Sequence, residues 1–82
     1  MTSSQEAWRP VLKNSGQPVY IRIADAIGDD ILAGRLGVGE RLPPLRDLAE
    51  TLQLNYATVS RGYDEPQRRG LIYALVGQGS FV

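Results

Sequence analysis

The chain has 82 residues, no cysteine and no histidine, and nine basic and nine acidic residues give it zero net charge. This length allows one small domain with a single core. The missing residue types exclude disulfides, thiolate metal sites, cysteine nucleophiles and histidine bases, so an enzyme is not expected. No apolar run approaches the roughly 20 residues that cross a bilayer, and no secretory signal opens the chain, which predicts a cytoplasmic protein without a membrane partner.

The balance of charges bears on nucleic acid as a partner. A strong nucleic-acid binder usually carries a basic excess, which this chain lacks. Eight of its nine basic residues are arginine, however, and Lys13 is the one lysine. Arginine suits planar, bidentate recognition of phosphates and guanine edges. A nucleic-acid function therefore depends on where the arginines lie rather than on their number.

The first third of the chain predicts an arm followed by a helix. Residues 1–17 are polar and irregular and are predicted to form a flexible N-terminal arm, with Trp8 as its one large aromatic residue. Pro18 suits the first helical position, and Gly34 suits a C-terminal cap. The apolar face of this helix is formed by Tyr20, Ile23, Ala24, Ile27 and Ile31.

A helix-turn-helix pattern follows. Glycines and a proline in residues 35–43 predict a turn and a short extended segment at residues 40–42. A second helix is predicted over residues 44–53, where small Ala49 allows close approach of the next helix. Leu54 is expected to fill the turn between them from the inside.

The third helix is predicted to begin at Tyr56. Asn55 precedes it as an N-cap whose side chain is expected to accept the N–H of Thr58. Pro66 has no N–H for the Gly62 carbonyl, which predicts a kink or an early end.

The last residues predict a β-hairpin. Residues 71–76 are apolar and strand-like, residues 77–80 form a turn, and the return strand begins with Phe81 and Val82. Because the chain stops two residues into that strand, it is expected to be part of a longer protein. Tyr73, Leu75 and Phe81 are expected to expose apolar area beside an open strand edge, which predicts a weak homodimer.

The order of elements predicts a mainly α fold with a small β-hairpin, a winged helix-turn-helix of three helices plus a wing. The domain is predicted over residues 18–82, with the helix-turn-helix at about residues 45–64 and the wing at about residues 71–82. In this fold the N-terminal half of the third helix enters a major groove. The candidate DNA-binding residues are Arg46, Asn55, Tyr56, Thr58, Arg61, Gly77 and Gln78.

Each candidate also has a structural interpretation. Arg46 could pair with Glu50, and Arg61 could pair with Glu65, on their own helices. Asn55 is an N-cap in either case, Thr58 could only close the first turn, and Tyr56 could pack on its neighbours. Gly77 and Gly79 are turn residues whose small size would also let the backbone approach DNA. Gln78 could contact a minor-groove edge, where readout is degenerate.

Four segments resemble the GntR family of bacterial transcription regulators over residues 18–82: Leu-Pro-Pro-Leu-Arg-Asp-Leu-Ala, Asn-Tyr-Ala-Thr-Val-Ser-Arg-Gly-Tyr, Arg-Arg-Gly-Leu-Ile and Gly-Gln-Gly-Ser-Phe-Val. The resemblance implies that Arg46 meets the DNA backbone and base edges. It also implies recognition-helix contacts at Asn55, Tyr56, Thr58 and Ser60, and a wing tip at Gly77 and Gln78. In many relatives arginine stands in place of Tyr56, and glycine often stands in place of Gln53.

Pro43-Pro44 and the Trp8-Arg9-Pro10 arm resemble the MocR subgroup. That resemblance implies a further, aminotransferase-like domain that binds pyridoxal phosphate, and no cofactor in this chain. Two functions remain open at this point. One is the sequence-specific DNA-binding domain of a transcription regulator, with double-stranded operator DNA as partner, the third helix in the major groove and the wing near the minor groove. The other is a winged helix that binds proteins and not DNA, which zero net charge and the apolar hairpin residues Tyr73 and Leu75 support.

Overall fold

The structure, a computed structural model, describes residues 8–82. Its elements in chain order are α1 (Val19–Leu32), α2 (Leu45–Leu52), α3 (Tyr56–Arg68), β1 (Tyr73–Leu75) and β2 (Gly79–Phe81). The two strands pair antiparallel. Three helices followed by a hairpin confirm the predicted winged helix-turn-helix. None of the helices within residues 8–82 is both long enough and apolar enough to cross a membrane.

Local signals at the ends of α1 explain its length. Pro18 is the N-cap rather than the predicted first helical residue, because its ψ of 150° is extended. At the other end Gly34 adopts a left-handed φ of +82°. The N–H groups of Gly34 and Arg35 donate to the carbonyls of Ile31 and Asp30 at 3.2 and 2.8 Å. This pattern satisfies the last carbonyls of the helix and ends it.

The turn between α2 and α3 uses the same closing pattern without a glycine. Gln53 is left-handed, with φ 57° and ψ 47°, and the Leu54 N–H donates to the Ala49 carbonyl at 2.9 Å. The Leu54 side chain packs against the core, as predicted. The turn therefore changes the direction of the chain between α2 and α3, and its core-facing side is formed by apolar Leu54.

The core lies where α1, α2 and α3 meet the extended segments. Its most buried side chains, all under 2% exposed, are Ile23, Ile27, Leu36, Leu42, Leu48, Val59 and Pro66. α1 and α3 approach closely, and a Cβ placed on Gly62 would lie 2.7 Å from Ile23 Cβ. A side chain at residue 62 is therefore incompatible with this packing distance.

Pro66 does not end α3. The helix continues to Arg68, so the predicted early end is wrong. Pro66 lies in the core, and burial of its ring offsets the one hydrogen bond that it cannot donate. The Leu71 N–H then donates to the Pro66 carbonyl at 2.9 Å, and Gly70 adopts a left-handed φ of +78°. The helix ends at this glycine cap and not at the proline.

The wing differs from its prediction in register. Leu75 pairs with Gly79 and Tyr73 with Phe81, so Gly79 and Ser80 belong to β2 and the connection is residues 76–78. Phe81 is half-buried rather than exposed, because its ring stacks on Tyr73 at 5.7 Å between centroids. This stack removes part of the apolar area expected on the hairpin surface.

The predicted extended segment at residues 40–42 is confirmed and pairs with β2. Arg41 bridges antiparallel to Phe81, and the Leu42 N–H donates to the Ser80 carbonyl at 2.8 Å. Leu42 is buried and Arg41 exposed, as the alternation of an extended chain requires. β2 therefore lies between this segment and β1, which leaves β1 as the outer strand of the wing.

Part of the predicted N-terminal arm lies against α1. Residues 8–17 form no helix or strand, but Pro10 is buried and Leu12 packs on the core. Trp8 Nε1 donates to Asp30 Oδ2 at 2.6 Å. Residues 1–7 of the predicted arm lie outside the described residues.

Candidate nucleic-acid interface

A groove with a volume of about 590 Å³ separates the helix-turn-helix from the wing. One wall is the start of α2 together with Tyr56 at the start of α3. The other wall is the wing. Four of the predicted site residues line it: Arg46, Tyr56, Gly77 and Gln78. The fold therefore joins residues from two parts of the sequence, about 20 positions or more apart, in a single surface feature.

Tyr63 positions the α2 side of this groove. Its hydroxyl donates to the Pro43 carbonyl at 2.8 Å within the core, directly before the helix that carries Arg46. Burial raises the pKa of the Tyr63 hydroxyl above its ordinary value, which keeps it a neutral donor. This bond ties α3 to the start of α2 across 20 residues of sequence.

Arg46 and Tyr56 are both exposed on the groove. Arg46 forms no ion pair with Glu50 or any other residue in the described part of the chain, so its guanidinium keeps its donors for a ligand. Tyr56 is 54% exposed. Its exposed ring at the first residue of α3 suits stacking or a hydrogen bond from its hydroxyl.

Asn55 caps α3, but with a partner different from the predicted one. Its Oδ1 accepts the Ala57 N–H at 2.8 Å, while the Thr58 N–H donates to the Asn55 backbone carbonyl at 3.1 Å. The extended backbone of Asn55, with ψ 139°, turns its side chain toward the second residue of the helix. The Asn55 side-chain nitrogen makes no hydrogen bond among residues 8–82, so capping leaves it free to donate.

Thr58 and Ser60 lie further along the first turns of α3 and are half-buried. Neither side chain is hydrogen-bonded among the residues that the structure describes. They do not line the groove, and therefore belong to the flanks of the α3 surface rather than to its wing side.

Arg61 turns toward α1. Its guanidinium carbon lies 4.0 Å from the centroid of the Tyr20 ring, and it does not line the groove. The predicted alternative pair with Glu65 does not form, because Glu65 binds Arg68 and Arg69 instead. Those two arginines hold the pKa of the Glu65 carboxyl below its usual value, with the Arg68 hydrogen bond as the largest cause.

The wing tip presents the backbone of Gly77 and the side chain of Gln78. Gly77 adopts a left-handed φ of +76°, and no atom lies within 4 Å of the position that a Cβ would take there. Glycine is therefore favoured at this position by the backbone conformation of the turn and not by lack of space. The Gln78 N–H closes the turn onto the Leu75 carbonyl at 2.9 Å, and its exposed side chain is left for a ligand.

Arg41 also lines the groove and was missed by the sequence analysis. A Cβ placed on Gly79 would lie 3.0 Å from Arg41 Nε. The signal was present in the alternation of the extended segment, which turns Leu42 inward and Arg41 outward. What the sequence did not show is that this segment pairs with β2 and therefore lies beside the wing.

The family model for bacterial regulatory proteins of the gntR family matches residues 19–82. The chain belongs to the gntR family. The transcriptional regulator YdeF of Bacillus subtilis, itself uncharacterized, is 40% identical over 76 residues, which are 93% of this chain but 16% of YdeF. The transcriptional repressor YtrA of the same organism is 35% identical over 83% of this chain and 52% of its own length.

Solved structures agree with the fold of this GntR domain. A Listeria monocytogenes protein described as a transcriptional antiterminator superposes with a TM-score of 0.83 at 30% identity, over 93% of this chain and 57% of its own. YtrA of Sulfolobus acidocaldarius, a GntR-family transcription factor, superposes with a TM-score of 0.77 at 35% identity, over 84% of this chain and 72% of its own. These relatives are transcription regulators rather than enzymes.

The placement of charge in the GntR domain offsets its zero net charge. Lys13, Arg35, Arg68 and Arg69 pair with carboxylates away from the groove. Arg41 and Arg46 form no such pair within residues 8–82. Two of the arginines without a carboxylate partner therefore lie at the groove, whereas Arg9, Arg22 and Arg61 form no ion pair elsewhere on the described surface.

Proposed function

We propose that this GntR-family domain binds a double-stranded DNA operator sequence-specifically, as the DNA-binding domain of a bacterial transcription regulator acting in the cytoplasm. The N-terminal half of α3 enters a major groove, and the wing lies at the adjacent minor groove. The observation that supports this most directly is the groove that brings Arg46 and Tyr56 opposite Gly77 and Gln78.

The residues divide by the part of DNA that they meet. Arg46, with free guanidinium donors, is suited to a phosphate or a guanine edge. The first turns of α3 offer Asn55, Tyr56, Thr58 and Ser60 to base edges and phosphates. Arg61 contributes charge beside α3, because it stays exposed while its guanidinium stacks over Tyr20. Gly77 lets the wing backbone come close, while Gln78 contacts the minor groove.

The test begins with selection of a preferred duplex from a randomised library, followed by titration of that duplex at several salt concentrations. If about five phosphates are neutralised, log K against log salt has a slope near −4 to −5. Arg46→Ala should weaken binding while the melting temperature stays unchanged. Arg9→Ala is the control, since Arg9 is exposed and does not line the groove.

Absence of binding above background, or an affinity that does not depend on salt, would contradict the proposal. Either outcome would favour the protein-binding winged helix. The observation behind that second candidate is the exposed apolar wing surface, with Tyr73 47% and Leu75 42% exposed.

Membership of the MocR-like subgroup is a further part of the proposal. Its support is that this chain covers only 16% of YdeF, a share that leaves space in that protein for a large second domain. Pyridoxal phosphate would bind there and not to this chain. The full-length gene product should show visible absorbance from bound pyridoxal phosphate, with the 82-residue chain as control. A full-length protein that does not bind the cofactor would contradict this assignment.

A further inference from the structure

The geometry of duplex DNA determines what must occupy the groove. A major groove and the adjacent minor groove are separated by one phosphodiester strand. If α3 enters the first and the wing lies at the second, that strand passes between Tyr56 and the wing tip at Gly77 and Gln78. This inference rests on the proposed function and adds a residue to it.

Arg41 lies on the wing side of that path. Its backbone is held by the bridge to Phe81, so its position is set by the β-structure and not by a loop. Its guanidinium lies against Gly79, where an added Cβ would be 3.0 Å from Nε and 3.4 Å from a terminal nitrogen. The absence of a side chain at Gly79 makes space for the guanidinium beside the turn of the wing.

The charges around Arg41 favour an anionic occupant. Arg46 lines the same groove from α2, and neither arginine has an ion-pair partner within the described residues. Asp47 is the one carboxylate that lines the groove, and it lies in the first turn of α2. Two guanidiniums against one carboxylate leave the groove with net positive charge, which favours a phosphate as its occupant.

We propose that Arg41 binds a phosphate of the strand that runs between α3 and the wing, opposite the contact made by Arg46. Arg41 thereby positions the wing on the minor groove and carries no base specificity of its own. A phosphate contact of this kind strengthens binding to every duplex about equally.

The experiment compares Arg41→Gln with wild type on the selected duplex and on an unrelated duplex. We expect the affinity of Arg41→Gln for both duplexes to be about tenfold lower than that of wild type at low salt. The slope of log K against log salt should become less steep by about 0.9. Arg41→Lys should retain most of the binding, because a point charge still attracts a phosphate. Arg9→Gln removes the same charge on the arm side and should change neither quantity.

A second measurement locates the contact. Single phosphates of the selected duplex are replaced by neutral methylphosphonates, and each duplex is titrated with wild type and Arg41→Gln. At the phosphate that Arg41 binds, the losses of binding free energy caused by the methylphosphonate and by Arg41→Gln should not add. At other phosphates the two losses should be additive. Melting temperatures of all variants establish that they are folded.

The outcomes separate this inference from the proposed function. If wild type binds no duplex, the proposed function itself fails. If wild type binds and Arg41→Gln binds equally well with the same salt slope, only the role of Arg41 is overturned. A loss confined to the selected duplex would also overturn it, because that pattern indicates a base contact.

Discussion

At the scale of single residues, a hydrogen bond from Trp8 helps to join the N-terminal segment to α1, together with an ion pair from Lys13 to Asp29. Trp8 Nε1 and Arg35 Nε both donate to the Asp30 carboxylate, at 2.6 and 2.8 Å. Burial alone would raise the pKa of this carboxyl, but the bonds from Trp8 and Arg35 outweigh it and lower the pKa below 3.8. A lowered pKa means that folding favours the ionised form, so the carboxylate stabilises the folded state.

We therefore predict that Asp30→Ala releases Trp8. Because Trp8 is the only tryptophan, its fluorescence emission should shift to the red in the variant at pH 7. In wild type the contribution of Asp30 is complete above its ordinary pKa of 3.8 and is lost as pH falls through the lower folded value. The emission of wild type should therefore shift to the red when the pH falls through this value, and the emission of Asp30→Ala should not.

Asp25→Ala is the control for this measurement. Asp25 is exposed on the same helix and makes no ion pair in the described part of the chain. Emission from Asp25→Ala should match wild type. Unchanged emission in Asp30→Ala would show that the Trp8 bond does not hold the segment in place.

A second prediction at the residue scale concerns the turn between α2 and α3. Gln53 holds a left-handed backbone, which costs a residue with a Cβ about 1–2 kcal/mol. Glycine removes that cost but loses more entropy on folding. Gln53→Gly should raise the free energy of unfolding by about 0.5–1 kcal/mol in a denaturant titration, while Gln53→Ala stays within about 0.5 kcal/mol of wild type. Equal stabilities for the two variants would argue against backbone strain.

At the scale of elements, the distance between α1 and α3 determines where the DNA-binding helix sits. Gly62 permits this distance because Ile23 occupies the space that a side chain would need. On the other side of α3, Tyr63 bonds Pro43 and holds the start of α2. Two adjacent residues of α3 thus set its position against both neighbouring helices.

Two helical glycines should respond to alanine in opposite directions. Gly62→Ala forces a Cβ to 2.7 Å from Ile23 and should lower the free energy of unfolding by about 1–3 kcal/mol. Gly28 is the control, because its added Cβ would meet only Leu71, at 4.0 Å. Gly28→Ala should raise stability by about 0.5–1 kcal/mol through helix propensity. Thermal melts of both variants check the pair, and a stabilising Gly62→Ala would contradict the close packing.

At the scale of the whole molecule, the wing leaves an apolar edge uncovered. Tyr73 and Leu75 on β1 are 47% and 42% exposed, and Val76 is fully exposed. An outer strand of this kind can pair with another chain. A standard interface needs about 800 Å² from each partner, however, which is a large share of so small a surface.

We therefore predict a monomer or a weak dimer. Sedimentation equilibrium at micromolar concentration should show weak association at most, and Leu75→Lys should abolish it. Val38→Lys is the control, because Val38 is 97% exposed and lies outside β1. If two domains bind one operator, their half-sites lie about 34–36 Å apart or a multiple of that distance. A dimer that survives dilution to nanomolar concentration would contradict this prediction.

The sequence by itself determined the order of the elements and most of their ends. Pro18, Gly34 and Asn55 act on backbone groups within a few residues, so their effects can be inferred from the chain alone. The glycines and the proline of residues 35–43 predicted the turn and the extended segment at residues 40–42 for the same reason. The family motifs placed Arg46, Tyr56, Gly77 and Gln78 as site residues, and the structure brings these four to one groove.

Only the tertiary structure decided the features that depend on distant partners. Pro66 continues α3 because its ring is buried in the core, which local rules do not consider. Arg61 stacks on Tyr20 rather than pairing along its own helix. Arg41 lies in the groove because its segment pairs with β2, some 40 residues later. Contacts between residues far apart in sequence depend on how the elements pack, and propensity or spacing within one element carries no information about that packing.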